Sequence, residues 1–168
     1  MRFFTLSDLH LSKSSGMDRI RSRLDQLCSK IRSEMLPGST IPFIILGDVI
    51  ESGETDGYTV AREILEHIKL NLQEFDLRFE IVPGNHDLDK KDSSLTAFDA
   101  FAARYCSEAA FCNQSVYARE YDGVNFIFAD SNLNRKYNLP GRLDLNAIQA
   151  HIRHGLQNIL FCHHGFTQ

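Results

Sequence analysis

Four short apolar runs, each too short for a helix and each ending abruptly in polar residues, constrain this chain most. They lie at 2–7 (RFFTLS), 42–46 (PFIIL), 79–82 (FEIV) and 158–162 (NILFC). Unbroken apolar runs of this length read as strands, and PFIIL as one buried on both faces. Helical periods separate them. Ile20, Leu24, Leu27, Ile31 and Met35 recur at three- and four-residue spacing until Pro37-Gly38 ends the pattern, and Val60, Ile64, Ile68 and Leu72 repeat it. Pro83-Gly84 closes the third run, and Leu95, Phe98, Phe101 and Ala102 mark one side of a helix over 93–105. Two β-prone runs, 115–121 and 124–129, then flank Asp122-Gly123, a strong hairpin signal. A polar loop at 131–142 and a helical stretch at 143–152 lead to the last strand. Strands alternating with helices, then a hairpin, predict an α/β layered domain with a mixed sheet. At 168 residues, with no repeat or linker, one domain over 1–168 is expected.

The chemistry lies in the polar residues at the end of each run. After FFTLS comes Asp8-Leu9-His10, and after FIIL comes Gly47-Asp48. FEIVP leads into Gly84-Asn85-His86-Asp87, and NILFC into His163-His164-Gly165. Ligands of open α/β sheets bind beyond the carboxyl ends of the strands, so these clusters are expected on one edge of one sheet. Carboxylates, an amide oxygen and imidazoles together suit Mn²⁺, Fe or Zn²⁺ and need no thiolate. Asp-x-His or Gly-Asp alone carries little information, since such pairs are common caps and turns. Gly-Asn-His-Asp is far more specific, arising by chance in on the order of one chain this long per thousand.

Composition narrows the setting. A net charge of −4 provides no standing basic field for nucleic acid or anionic membrane, although bound cations would reverse the sign locally. Nucleic acid is therefore a possible partner that nothing indicates. No apolar run is long enough to span a bilayer, and no membrane partner is expected. The cysteines Cys28, Cys106, Cys112 and Cys162 form no C-x-x-C pair and sit in or beside apolar runs. Buried thiols of a reducing, cytoplasmic setting are the expectation.

S-D-L-H-L, G-D-x-x-E, G-N-H-D and H-H-G, in this order over nearly the whole chain, resemble the calcineurin-like metallophosphoesterases. The resemblance implies a layered β-sandwich flanked by helices, with mixed sheets, and two divalent metal ions. Asp8 and His10 would hold one metal, Asp48 would bridge both, and Asn85 and His163 would hold the second. The family places its ligand two residues before the glycine, favouring His163 over His164. It also implies that His86 faces the substrate phosphate, with Glu51 (Asp in most relatives) orienting its other nitrogen. Asp87 would be structural, tying its loop down. The implied reaction is hydrolysis of a phosphodiester or phosphomonoester by a two-metal-activated hydroxide. Phe128-Ala129-Asp130-Ser131 and the stretch 141–149 look like the cyclic-nucleotide and glycerophosphodiester phosphodiesterase branch.

Other polar residues receive blander readings. His67, His151 and His154 are expected on helix surfaces, and Arg135, Lys136 and Arg142 as solvated loop charges able to reach a phosphate. Relatives carry a later Gly-His-x-His that gives each metal one histidine, and this sequence contains none. A further polypeptide segment beyond Gln168 is therefore expected, and impaired activity without it. Two alternatives share the early motifs: a nuclease of the DNA-repair branch, and an incomplete phosphoesterase fold serving as a protein-binding module. Survival of Asp8, His10, Asp48, Asn85 and His163 favours the enzyme over the binding module.

Overall fold

The computed structural model describes residues 1–13, 16–51, 55–106, 111, 113–134 and 141–164. Its first sheet has the order β1-β2-β3, formed by β1 (Phe4–Ser7), β2 (Thr40–Leu46) and β3 (Asp76–Val82), all parallel. Two crossover helices, α1 (Met17–Glu34) and α2 (Thr55–Asn71), join them. Ile41, Phe43, Ile44 and Ile45 of β2 are all fully buried, as expected for the central strand of a covered sheet. Leu24, Cys28 and Ile31 of α1, and Ala61, Ile64, Leu65 and Ile68 of α2, supply the buried stripes at helical spacing.

The second sheet is mixed. In it β4 (Val116–Tyr121) and β5 (Val124–Ala129) form an antiparallel hairpin, and β6 (Gln157–Phe161) pairs in parallel with β5. Asp122 at φ 47° and Gly123 at φ 75° make the two-residue turn expected of Asp-Gly. Two short helices, α3 (Thr96–Ala102) and α4 (Leu145–His151), complete the described elements. The fold is thus α/β, with two three-stranded sheets and four helices among the described residues. Phe3 packs edge-on against Phe126 and Phe161, at ring-centroid distances of 5.3 and 5.5 Å, joining the first sheet's entry to the second sheet.

A second joint is polar. Glu80 of β3, 2% exposed, accepts hydrogen bonds from the Tyr117 hydroxyl at 2.9 Å, from the Cys106 thiol at 3.1 Å and from the Tyr121 hydroxyl. Three neutral donors, with the Arg119 Nε 3.8 Å from Oε1, satisfy a carboxylate that burial alone would make very unfavourable.

Some boundaries differ from the sequence expectation. β3 starts three residues before its apolar run, because Asp76 pairs with Thr40 and accepts its hydroxyl at 3.2 Å. The third helix is shorter than 93–105: Ser93 is left-handed (φ 57°), and the Asp92 carboxylate takes the Ser94 amide at 2.8 Å, so the helix cannot start there. His154 lies in the turn after α4 rather than on a helix surface. Cys28, Cys106 and Cys162 form no disulfide among the described residues, and no helix of the described residues is long and apolar enough to cross a membrane.

Candidate metal centre

Strands β1, β2 and β3 each end in a loop bearing one of the first three motifs, and backbone hydrogen bonds join the first two loops. The Asp8 amide donates to the Gly47 carbonyl (3.2 Å), the His10 amide to Asp48 (2.9 Å) and the Leu11 amide to Val49 (3.0 Å). Asp8, His10 and Asp48 all adopt left-handed backbone, at φ 54°, 45° and 49°. Non-glycine residues rarely do so, and such strain concentrates at functional sites. It turns these three side chains toward one point.

The glycines of the motifs have a steric reason. A Cβ on Gly47 would stand 2.6 Å from the Gly84 nitrogen and 2.7 Å from His163 Cγ. One on Gly84 would stand 2.1 Å from Asp48 Oδ1. Only glycine lets the three loops close to this distance.

His163 arrives from the second sheet, beyond the end of β6. The expectation of a site on one edge of one sheet is therefore corrected: the site lies between two sheets. The reason is pairing, since β6 hydrogen-bonds with β5 and not with the first sheet.

Asp48, 4% exposed, is the centre of the cluster. Its Oδ1 accepts the His86 backbone amide at 2.9 Å. Its Oδ2 faces three imidazole Nε2 atoms, of His163 at 3.3 Å, His10 at 3.7 Å and His86 at 4.0 Å. Asp8 Oδ1 lies 3.9 Å from His10 Nε2. Two donor triads share Asp48, namely Asp8–Asp48–His163 and His10–Asp48–His86, each with ligand atoms within 4.8 Å of one another.

The rings are oriented from behind. His163 Nδ1 lies 2.8 Å from the Leu46 carbonyl, and His86 Nδ1 lies 2.6 Å from the Glu51 carbonyl. A carbonyl only accepts, so each Nδ1 carries hydrogen and each Nε2 is directed at the centre. Such backing is what metal-ligating histidines ordinarily have.

Electrostatics agree with the geometry. Burial disfavours ionised Asp48, but His163 and the His86 amide outweigh it and hold the carboxyl below its usual range. Burial likewise opposes charge on His163, yet Asp48 and the Leu46 carbonyl raise its pKa to about 9.

The expected roles are met unevenly by position. Glu51 does not present its carboxylate to His86: the chain carbonyl takes that ring, and the carboxylate lies 3.2 Å from His10 Nδ1. His86, expected to touch only substrate, also falls within a donor triad. Asn85 opens the 3-10 turn Asn85–Asp87, half-buried beside Asp48. Asp87, fully buried, accepts the Gly84 amide (2.9 Å), the Val49 amide (3.3 Å) and the Tyr58 hydroxyl (3.2 Å), which ties the loop down. Burial, partly offset by these amides, raises its pKa to about 6.

His67 bonds Asp25 at 2.7 Å and His151 bonds the Ala147 carbonyl at 2.8 Å, both away from the centre. Arg142 donates its amide to the Ser131 carbonyl, while Arg135 and Lys136 lie outside the described residues. Sequence reasoning missed Tyr58, which reads as one more core position of α2, and Ser131 and Asn132, which read as loop.

The sequence model of the family described as calcineurin-like phosphoesterase matches residues 1–167. No curated protein matches the chain.

Proposed function

The chain belongs to the calcineurin-like phosphoesterase family, and from that premise we propose that it hydrolyses a phosphodiester or phosphomonoester at the Asp48 centre. The observation that carries this reading is the buried Asp48 carboxylate with three Nε2 atoms directed at one of its oxygens. The donor set fits divalent cations: carboxylate and imidazole, with the rings of His163 and His86 backed by carbonyls. Asp8, His10, Asp48, Asn85 and His163 are the proposed ligands, with Asp48 common to both positions. When bound, two cations (Mn²⁺, Fe or Zn²⁺) would supply the Lewis acidity and activated water that phosphate-ester hydrolysis needs.

The remaining work falls to the chain's own groups. His86 is anchored through Nδ1, so its Nε2 can hold a proton against a phosphate oxygen or hand it to the leaving group. Glu51 serves that ring through its carbonyl, while its carboxylate stands 3.2 Å from His10 Nδ1. The phosphodiesterase branch is the preferred substrate class on the sequence likeness of 128–131 and 141–149, two stretches that meet where Ser131 bonds His164 and Gly141 packs against it. Free thiols at Cys28, Cys106 and Cys162 support a reducing, cytoplasmic setting.

Metal content and turnover of a chromogenic phosphodiester, measured on Asp48→Asn and His86→Ala, test the reading. Asp48→Asn is expected to lose bound metal and all measurable turnover. His86→Ala is expected to keep its metal while turnover falls by about 10²–10⁴-fold. A metal-replete, active Asp48→Asn variant would overturn the site. Loss of metal from His86→Ala would make His86 a ligand instead, since it also falls within the second triad.

A further inference from the structure

The turn that leaves β5 is buried and polar: Asp130 is 0%, Ser131 1% and Asn132 4% exposed. Loops are usually solvated, so such burial calls for partners. Ser131 Oγ accepts the His164 backbone amide at 3.1 Å and lies 2.9 Å from the His164 ring Nδ1. One hydroxyl thus fixes both the main chain and the side chain of the residue after His163. Behind that ring there is no slack, since a Cβ on Gly141 would stand 2.4 Å from His164 Cβ. Asn132 reaches the other way. Its Nδ2 donates to the Pro83 carbonyl at 3.1 Å, and its amide is held by Asp130 Oδ1 at 2.7 Å. Pro83 is the residue before the Gly84 turn that carries Asn85 and His86.

We propose that Ser131 and Asn132 are positioning residues for the metal centre, clamping the His163 strand end of one sheet to the Asn85–His86 turn of the other. Besides the His163 contacts with the Leu46 carbonyl and Asp48, the Asn132 bond to Pro83 is a polar contact that ties the second sheet to the loops of the first. Without Ser131 the His164 amide and ring lose their shared partner, and His163 Nε2 is held less firmly against Asp48 Oδ2. Without Asn132 the Pro83 carbonyl is buried unpaired, and the turn that delivers the His86 amide to Asp48 loosens. Outer partners of metal ligands act in this way, changing affinity about 10–100-fold without touching the ion.

The inference rests on the metal reading above, and the experiment separates the two. The metal-free full chain is titrated with Mn²⁺, free ion being followed by electron paramagnetic resonance, beside thermal unfolding of the same samples. Wild type, Asp48→Asn, Ser131→Ala, Ser131→Thr, Asn132→Ala and Asn125→Ala are compared. Asn125 is the control: it is equally buried, on the strand that leads into this turn, but bonds the His151 carbonyl and Asn158 at the far end. Ser131→Ala and Asn132→Ala are expected to bind Mn²⁺ about tenfold or more weakly, Ser131→Thr to restore affinity, and Asn125→Ala to lose stability with unchanged affinity. Wild-type affinity in folded Ser131→Ala and Asn132→Ala would overturn the proposal while leaving the metal site intact. An equal fall in Asn125→Ala would overturn it too, reducing the effect to general destabilisation. No Mn²⁺ binding by wild type would defeat the metal reading itself. Should Ser131→Ala not fold, His164→Ala removes the side-chain half of the same link and carries the same expectation.

Discussion

Two buried carboxylates stand near the junction of the sheets, Asp48 just beyond β2 and Glu80 inside β3, and they are treated in opposite ways. Glu80 sits in regular strand backbone and meets neutral hydroxyl and thiol donors at contact distance, the base near it being the permanently charged Arg119 guanidinium at 3.8 Å. Asp48 sits in left-handed backbone and gives one oxygen to a backbone amide. Its other oxygen faces basic nitrogens at 3.3–4.0 Å. Neutral donors at contact leave a carboxylate nothing further to bind. Titratable bases around a strained one leave a place that a proton or a cation can fill. Burial is the same in both cases, so the distinction between structure and function lies in the partners.

The comparison breaks most visibly if Glu80 is emptied. Glu80→Ala leaves the hydroxyls of Tyr117 and Tyr121 and the thiol of Cys106 without their shared acceptor, so a loss of about 3 kcal/mol is expected. Mn²⁺ affinity per folded molecule should not move. Chemical denaturation of the metal-free chain reads the first quantity and a titration the second. Weakened metal binding with intact stability would show that the two carboxylates are not the separate devices described.

The two clusters should also differ with pH. His163 has its pKa raised to about 9, so its proton contributes stability to the metal-free fold that is complete below about pH 6.5. That contribution is lost as pH rises through about 9. Metal ligation needs the neutral ring, so apparent affinity runs the other way, rising up to about tenfold per pH unit between those limits and levelling above. Burial first, and then Glu80, push Tyr117 and Tyr121 above the usual tyrosine range, so neither titrates in this window. The Glu80→Ala loss should accordingly be flat from pH 6.5 to 9. Proton release measured calorimetrically in buffers of different ionisation heat tests the first half; no release near pH 7.5 would contradict it.

Legibility in the sequence divides along the same line. Asp8, His10, Asp48 and His163 are legible because each ends an apolar run, a local pattern with a local cause. The strands and the Asp-Gly hairpin are legible for the same reason. Glu80 is invisible within FEIV, because its partners come from β4 and the segment after α3, 26 to 41 residues away. The placement of β6 in a second sheet is equally non-local: alternation of strands and helices does not say which strands pair. The family resemblance points to Glu51, but it does not say whether the carboxylate or the carbonyl of that residue meets His86. Tyr58 carries no signal of its own, since a core tyrosine is the commonest reading of such a residue, and Ser131 stands out only within a branch-like motif that does not say what its hydroxyl holds.

The smallest effect concerns Asp87, a third buried carboxylate that combines features of the other two. Like Glu80 it is satisfied at contact distance, by two amides and the Tyr58 hydroxyl. Like Asp48 it belongs to a motif loop, and after burial and its two amide partners the Asp48 charge adds to its raised pKa of about 6. Tyr58→Phe keeps the ring stacked on Phe101, at a centroid distance of 5.0 Å, and removes only the hydroxyl. Hydrogen bonds to charged groups stabilise by about 1.5–3 kcal/mol and neutral ones by about 0.5–1.5. The substitution should therefore destabilise the metal-free chain more at pH 7.5, where Asp87 is ionised, than at pH 5, where it is largely protonated. The sign comes from the hydroxyl favouring the ionised carboxylate, so its removal raises the Asp87 pKa further and steepens the loss of stability through pH 6. Denaturant midpoints of wild type and Tyr58→Phe at the two pH values decide it. A penalty independent of pH would mean that the tyrosine acts through packing alone, and that Asp87 belongs with Glu80 as a structural carboxylate.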